Sequence, residues 1–97
     1  MLERDIEKAV CDYARKEYDA IAYKFTSPQR RNVPDRIIVF PNGRVLFLEF
    51  KAPGKTPSAG QERELKRLRD RNQHVYYCDW PGQGMELVNQ VGRLPLG

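Results

Sequence analysis

Several classes of protein are excluded by what this chain lacks. No apolar run approaches the roughly 20 residues that cross a bilayer. The opening Met1-Leu2-Glu3-Arg4-Asp5 has no secretory-leader pattern, which points to a cytoplasmic protein with no membrane partner. There are only two cysteines, Cys11 and Cys78, and they stand far apart, without the spacing of a zinc or redox centre. They read as reduced core thiols. The single histidine, His74, falls between a helix and a strand, where capping or surface placement is the ordinary explanation. Pro53-Gly54-Lys55-Thr56 has the end of a phosphate-binding loop, but Glu49 stands where the loop's first glycine is required, so no nucleotide cofactor is expected. Internal repeats and linkers are absent as well.

What remains is 97 residues, 40% hydrophobic and 31% charged, enough for one domain (1–97) with a thin core that self-association would help. The net charge of +4 is mild, but its distribution is uneven. Lys24, Arg30, Arg31, Arg36 and Arg44 gather in one stretch, and Arg63, Lys66, Arg67, Arg69 and Arg71 stud another, which suits a polyanionic partner.

Periodicity predicts a first helix over about 2–18, with Ile6, Val10, Tyr13 and Ala14 on its apolar stripe. A short strand follows at 21–25, then a polar, basic loop over 26–32. Residues 36–40 and 45–51 alternate as two strands of a hairpin, with Pro41-Asn42-Gly43 between them and Asn42-Gly43 as the turn signal. Thr56-Pro57 or Ser58-x-x-Gln61 opens a second helix that runs to about residue 71. A strand at 75–79 returns beside 45–51 through a crossover. Residues 80–84 read as a turn, 85–91 as a short helix, and the tail from Gly92 as irregular. The fold class is α/β: a small mixed β-sheet flanked by helices, in the order α-β-β-β-α-β-α.

The hairpin carries the chemistry. Alternation on a strand puts Glu49 and Lys51 on one face and Leu48 and Phe50 on the other. Asp35, at the start of the incoming strand, supplies a second carboxylate. Two carboxylates with the Phe50 backbone carbonyl between Glu49 and Lys51 form an oxygen donor set for a hard cation such as Mg²⁺. Lys51 is placed to orient or deprotonate a water and to offset phosphate charge. Glu-x-Lys alone also fits a surface ion pair; the Pro-Asp, hairpin, Glu-x-Lys order favours the site. Gln61 shares the inward face of Leu65 and Leu68, where it reaches a metal-bound water or Lys51, or else simply closes the helix start. Glu3 lies nearer the buried stripe than Glu7, which sits further round toward solvent. Glu3 is the better third acid, although the helix dipole explains either carboxylate equally well. Arg30 and Arg31, with Arg36 and Lys55, are candidate DNA-backbone contacts, with a solubilising loop as the other reading of the first two. Tyr76, Tyr77 and Trp80 fit base stacking, but core or dimer contact is favoured.

Pro34-Asp35…Glu49-x-Lys51 resembles the PD-(D/E)xK nuclease superfamily. Glu3-x-x-Ile6, Val33-Pro34-Asp35-Arg36, Phe47 to Gly54 and Ser58-x-x-Gln61 look like its virus-type replication-repair nuclease (VRR-NUC) family, over residues 2–80. The resemblance implies a restriction endonuclease-like core and a DNA nuclease dependent on Mg²⁺, with Mn²⁺ able to substitute. It assigns Asp35 and Glu49 as metal ligands, Lys51 as catalytic lysine, and Gln61 and Glu3 as supporting residues. Phe50 stands where an aliphatic residue is commoner. Stand-alone phage members are similar to homodimeric archaeal Holliday-junction resolvases.

The resulting expectation is a homodimeric endonuclease acting on branched DNA, most like a junction resolvase, because a two-fold junction needs two equivalent sites. Leu87, Val88, Val91 and Leu94, with Trp80, are the apolar surface offered for that dimer. The competing readings are a flap- or nick-directed nuclease and a non-catalytic DNA-binding module.

Overall fold

The elements of the computed structural model, which describes all 97 residues, follow the order α1 (Glu3–Tyr18), β1 (Ile21–Lys24), β2 (Arg36–Val39), β3 (Val45–Phe50), α2 (Ala59–Arg69), β4 (His74–Cys78) and α3 (Pro81–Gly92). The strands form one mixed sheet in the order β1-β2-β3-β4. The first three are antiparallel neighbours, and β4 joins β3 in parallel after the α2 crossover.

The strand periodicity of two decides which side chains go where. Leu46, Leu48 and Phe50 leave one face of β3, joined there by Ala22, Ile38 and Cys78 of the other strands. All six are buried, against Ile6, Val10, Cys11 and Ala14 of α1 and Val88 and Val91 of α3. Burying side chains of this kind contributes roughly 1.5–3 kcal/mol each, so this face holds most of the stability. The opposite face is covered differently. Leu65 of α2 and Val75 of β4 are buried there, away from the main cluster. Toward β1 the same face opens to solvent, leaving Ile21 51% and Tyr23 56% exposed.

The connections have local causes. Asp19 ends α1 in the left-handed conformation, and Leu2 N–H donates to Asp5 Oδ2 at 2.9 Å across the helix start. In the hairpin, Gly43 N–H donates to the Phe40 carbonyl at 3.0 Å, so Pro41 and Asn42 are the central residues of the turn. Gly43 then takes φ 84°, which suits a residue without a Cβ. Pro41, with its fixed φ, enlarges the Asn-Gly turn to a three-residue loop.

Two expectations change here. The last helix begins at Pro81, not near residue 85, because proline is favoured at the first helical position. Gly84 then lets the helix approach closely: a Cβ there would stand 2.5 Å from Val10 Cγ2 and 3.0 Å from Cys78 Sγ. One glycine of a segment read as a turn, Gly84, is here a packing requirement. Second, Val88 and Val91 lie in the core and Leu87 packs against it, so they are not a free dimer surface. Of that group Trp80 alone stands well exposed, at 55%. The chain end is tied down, with Gly97 N–H donating to the Asn42 carbonyl at 2.9 Å. No helix is long and apolar enough to cross a membrane.

Candidate active site

Arg36 pairs with Leu48 across β2 and β3. Continuing that register one residue sets Asp35 opposite Glu49 on the α2 face, and a second residue sets Pro34 opposite Phe50. Pro34 has no N–H to give to the Phe50 carbonyl, which therefore lacks its ladder donor at this position. The Phe50 N–H instead donates to Asp35 Oδ2 at 2.7 Å. This strand end thus leaves one Asp35 oxygen and one backbone carbonyl uncommitted beside Glu49.

Glu49 is only 3% exposed. Gln61 Nε2 donates to its Oε2 at 2.7 Å, and Lys51 Nζ stands 3.4 Å from the same oxygen. Gln61 also performs its capping role: Ser58 N–H donates to Gln61 Oε1 at 2.9 Å, and Gln61 N–H donates to Ser58 Oγ at 3.2 Å. Gln61 bonds Glu49 and not Lys51, and it caps the helix at the same time, because an amide has two ends. One end closes α2 and the other fixes the Glu49 carboxylate.

Burial pushes the Glu49 pKa up to about 7, with the Asp35 charge adding to the rise and Lys51 opposing it. Asp35 is raised in the same direction, again chiefly by burial, against the Phe50 N–H and with Glu7 adding repulsion. Two carboxylates that repel each other in a desolvated place are relieved by a cation. No cluster of three or more acidic, histidine or cysteine side chains is present, so an ion would rely on Asp35, Glu49, the Phe50 carbonyl, and water or substrate. That all-oxygen set fits Mg²⁺ or Mn²⁺, which are commonly held by one or two carboxylates. The thiols take no part: Cys11 and Cys78 are buried, and burial raises both pKa values, that of Cys78 to about 12.

Glu3 and Glu7 exchange the environments expected of them. Glu3 is exposed, although its charge still bears on Glu49. Glu7 is half-buried and accepts from Arg36 Nε at 2.6 Å, with Lys24 Nζ at 3.7 Å. The cause is Cys11, which is buried and draws the inward stripe of α1 round toward Glu7.

The basic residues also divide. Arg36 does not reach the open surface, because its position on β2 points toward α1; it binds Glu7 and donates to the Ala22 carbonyl at 2.9 Å. It braces two strands and a helix. Lys55 is exposed on the loop after β3. Arg30 and Arg31 line a cavity against α2, whose far wall includes Arg63, Glu64 and Arg67. None of these three was singled out as a contact residue from the sequence. Their signal is the spacing of Gly60, Arg63, Glu64 and Arg67, a helical stripe with no apolar member.

No protein-family model matches the chain. A phage protein named "Putative nuclease p44", from Acyrthosiphon pisum secondary endosymbiont phage 1, is 52% identical over 77 residues, covering 79% of this chain and 82% of that protein. Among solved structures, one described as a VRR_NUC domain superposes with a TM-score of 0.81 at 24% identity, covering 90% of this chain and 94% of the other. The sheet order, the crossover and the three helices therefore have a solved counterpart, and the chain belongs to the family of this phage protein, built on the VRR_NUC fold.

Proposed function

We propose that the chain is a divalent-metal-dependent nuclease that hydrolyses phosphodiester bonds in DNA, with residues 1–97 forming one nuclease domain. The observation that carries this reading is the pair of half-buried Asp35 and buried Glu49, with Glu49 lifted to about 7 and braced by Gln61 and Lys51. Carboxylates forced together in this way destabilise a protein unless a ligand uses them. The name of the phage relative supports the same chemistry.

Asp35, Glu49 and the Phe50 carbonyl would hold Mg²⁺, or Mn²⁺ in its place. When bound, the ion supplies Lewis acidity toward a phosphate oxygen and lowers the pKa of a water. The protein's own residues do the rest. Gln61 keeps Glu49 in one orientation, and the Phe50 N–H does the same for Asp35. Lys51, 3.4 Å from Glu49, orients the attacking water and offers positive charge to the phosphate in the transition state. The water oxygen forms the new bond to phosphorus as one ester P–O bond breaks, and a proton goes to the departing oxygen. Glu3, exposed at the rim, would act on the site through water. Lys55 and the Arg30–Arg31 loop are offered to the DNA backbone.

The favoured substrate is branched DNA, cut by a homodimer in the manner of a junction resolvase. This rests on the resemblance of the motif set and on the small size of the chain, since a two-fold branch needs two equivalent sites. The test is incision of a panel of four-way junction, 5′-flap, nicked and linear DNA with Mg²⁺, alongside light scattering for mass. The expected result is metal-dependent cutting of the junction by a dimer. Preference for the flap or nick would move the substrate, and no incision of any DNA across a metal series would leave a binding module instead.

A further inference from the structure

We propose that the cavity between the 26–32 loop and α2 is a phosphate subsite, which holds an internal backbone phosphate of the DNA strand beside the one being cut. The proposal rests on the nucleic-acid reading of the neighbouring carboxylate site and adds to it a residue set and a ligand group.

The cavity has a volume of about 280 Å³ and no hydrophobic residue in its lining. Four arginines, Arg30, Arg31, Arg63 and Arg67, face it around a single carboxylate, Glu64. Glu64 is only 7% exposed, unusually deep for an acid on a helix this rich in charge. Arg30 holds it with Nε at 3.2 Å and Nη2 at 3.1 Å from Oε1, and Arg67 Nε lies 3.5 Å from the same oxygen. These contacts turn Glu64 into a bracket that ties the loop to the helix. They neutralise little: the other two arginines, Arg31 and Arg63, have no carboxylate partner and stand exposed.

An anion with several oxygens completes such a set. The planar guanidinium fork matches phosphate oxygens in pairs, and a wall with no apolar surface gives a hydrophobic ligand nothing to bury against. The loop is shaped for the same place. Asn32 adopts a left-handed φ of 65° and lies against Gly60, where a Cβ would come within 2.6 Å of its Nδ2. A side chain at residue 60 would have to push aside the amide end of Asn32, so the glycine lets that side chain lie flat on α2. The subsite also joins the metal-binding set directly. Gly60 precedes Gln61, which bonds Glu49 at 2.7 Å, and Asn32 leads into Pro34-Asp35. A strand with one phosphate at the ion proposed for Asp35 and Glu49 would pass the arginines with another.

The experiment measures binding without cleavage. Fluorescence anisotropy of the full chain on labelled branched and linear DNA, in EDTA, is followed across a salt series. Arg31→Ala combined with Arg63→Ala should raise Kd by about tenfold or more and lower the log–log salt slope by about one to two. Lys16→Ala, on the last turn of α1, should leave that slope unchanged. The thermal melt of the double variant should match the parent, since both arginines are exposed. Neutral methylphosphonates scanned along one strand should weaken the parent at one internal position and leave the double variant indifferent there. A Kd within twofold and an unchanged slope would overturn the subsite. So would affinity that follows only a terminal 5′ phosphate, with no internal position mattering. An inactive enzyme that still passes these binding tests would overturn the nuclease reading and leave the subsite standing.

Discussion

Leu48 and Glu49 are consecutive residues of β3, and the strand's alternation sends them to opposite faces of the same sheet. On one face, Leu48 meets α1 and α3 in an apolar cluster with no charge among its members. On the other, Glu49 lies in a desolvated place with a second acid opposite, a lysine and an amide upon it, and an arginine-lined cavity along the same helix. Both side chains are buried, yet burial stabilises the fold in the first case and strains it in the second. The α1–α3 face supplies rigidity, and the α2 face spends some of it to hold groups that water would separate. Moving a residue between these regimes should therefore change opposite properties.

The largest separation is expected between two neighbouring substitutions. Glu49→Gln keeps the shape and an acceptor for Gln61, but removes the charge. Metal-dependent DNA cleavage should fall by more than about a hundredfold, since even outer partners of metal ligands are commonly worth about 10–100-fold. Its folding should survive. Leu48→Ala should do the reverse, costing roughly 2–5 kcal/mol of stability by leaving a cavity. Activity per folded molecule should stay near that of the parent at a temperature where both are folded. Chemical denaturation and cleavage rates measured on both variants would show the contrast, and parallel losses in both assays would erase it.

Gln61 gives a finer division, because one side chain serves both ends of the comparison. Gln61→Ala should reduce cleavage by about 10–100-fold, as expected if Glu49 holds the proposed ion and Gln61 orients it. Ser58→Ala removes the cap bond and leaves the Glu49 contact. It should cost about 1 kcal/mol in stability, with cleavage little changed. Comparable cleavage losses in the two variants would mean that helix capping alone explains Gln61.

Most of the sheet was legible in the sequence, since β2 and β3 alternate plainly and the turn residues leave one way to connect them. Asp35, Glu49 and Lys51 meet on the α2 face as the alternation requires. Three features were less legible, each because a tertiary contact outweighed a local signal. The last helix starts at Pro81, a local start signal masked by the glycines after it, because Gly84 answers to Val10 and Cys78 and not to a turn. Glu7 moved inward because buried Cys11 widens the stripe of α1. Arg36 was committed to Glu7 because an ion pair across two elements leaves no trace in local spacing.

Glu49 also distinguishes the faces by pH. Its folded pKa, about 7, lies above its ordinary 4.5. The folded state then binds the proton more tightly than the unfolded state, so the metal-free protein loses stability as pH rises through this window and levels off above it. Asp35, also raised chiefly by burial, acts in the same sense. Thermal unfolding in EDTA should show the decline, and Glu49→Gln should flatten it, with its greatest gain over the parent above pH 7. Added Mg²⁺ should stabilise the parent more at pH 8 than at pH 6, because the ion and the proton compete for one carboxylate. An unchanged pH slope in Glu49→Gln would assign the decline to other groups.

The smallest effect is expected where neither rule applies. Ile21 and Tyr23 lie on the α2 face of β1, more than half exposed and outside the apolar cluster. Replacing exposed residues away from such features changes stability by about 0.5 kcal/mol or less. Tyr23→Lys should therefore alter the chemical denaturation midpoint very little, at any protein concentration. A loss that grew with protein concentration would show that a second copy covers this half of the sheet, because only an association linked to folding depends on concentration. The open half of the α2 face would then belong with the packed regions, and the division between the faces would run across β2 instead of through the sheet.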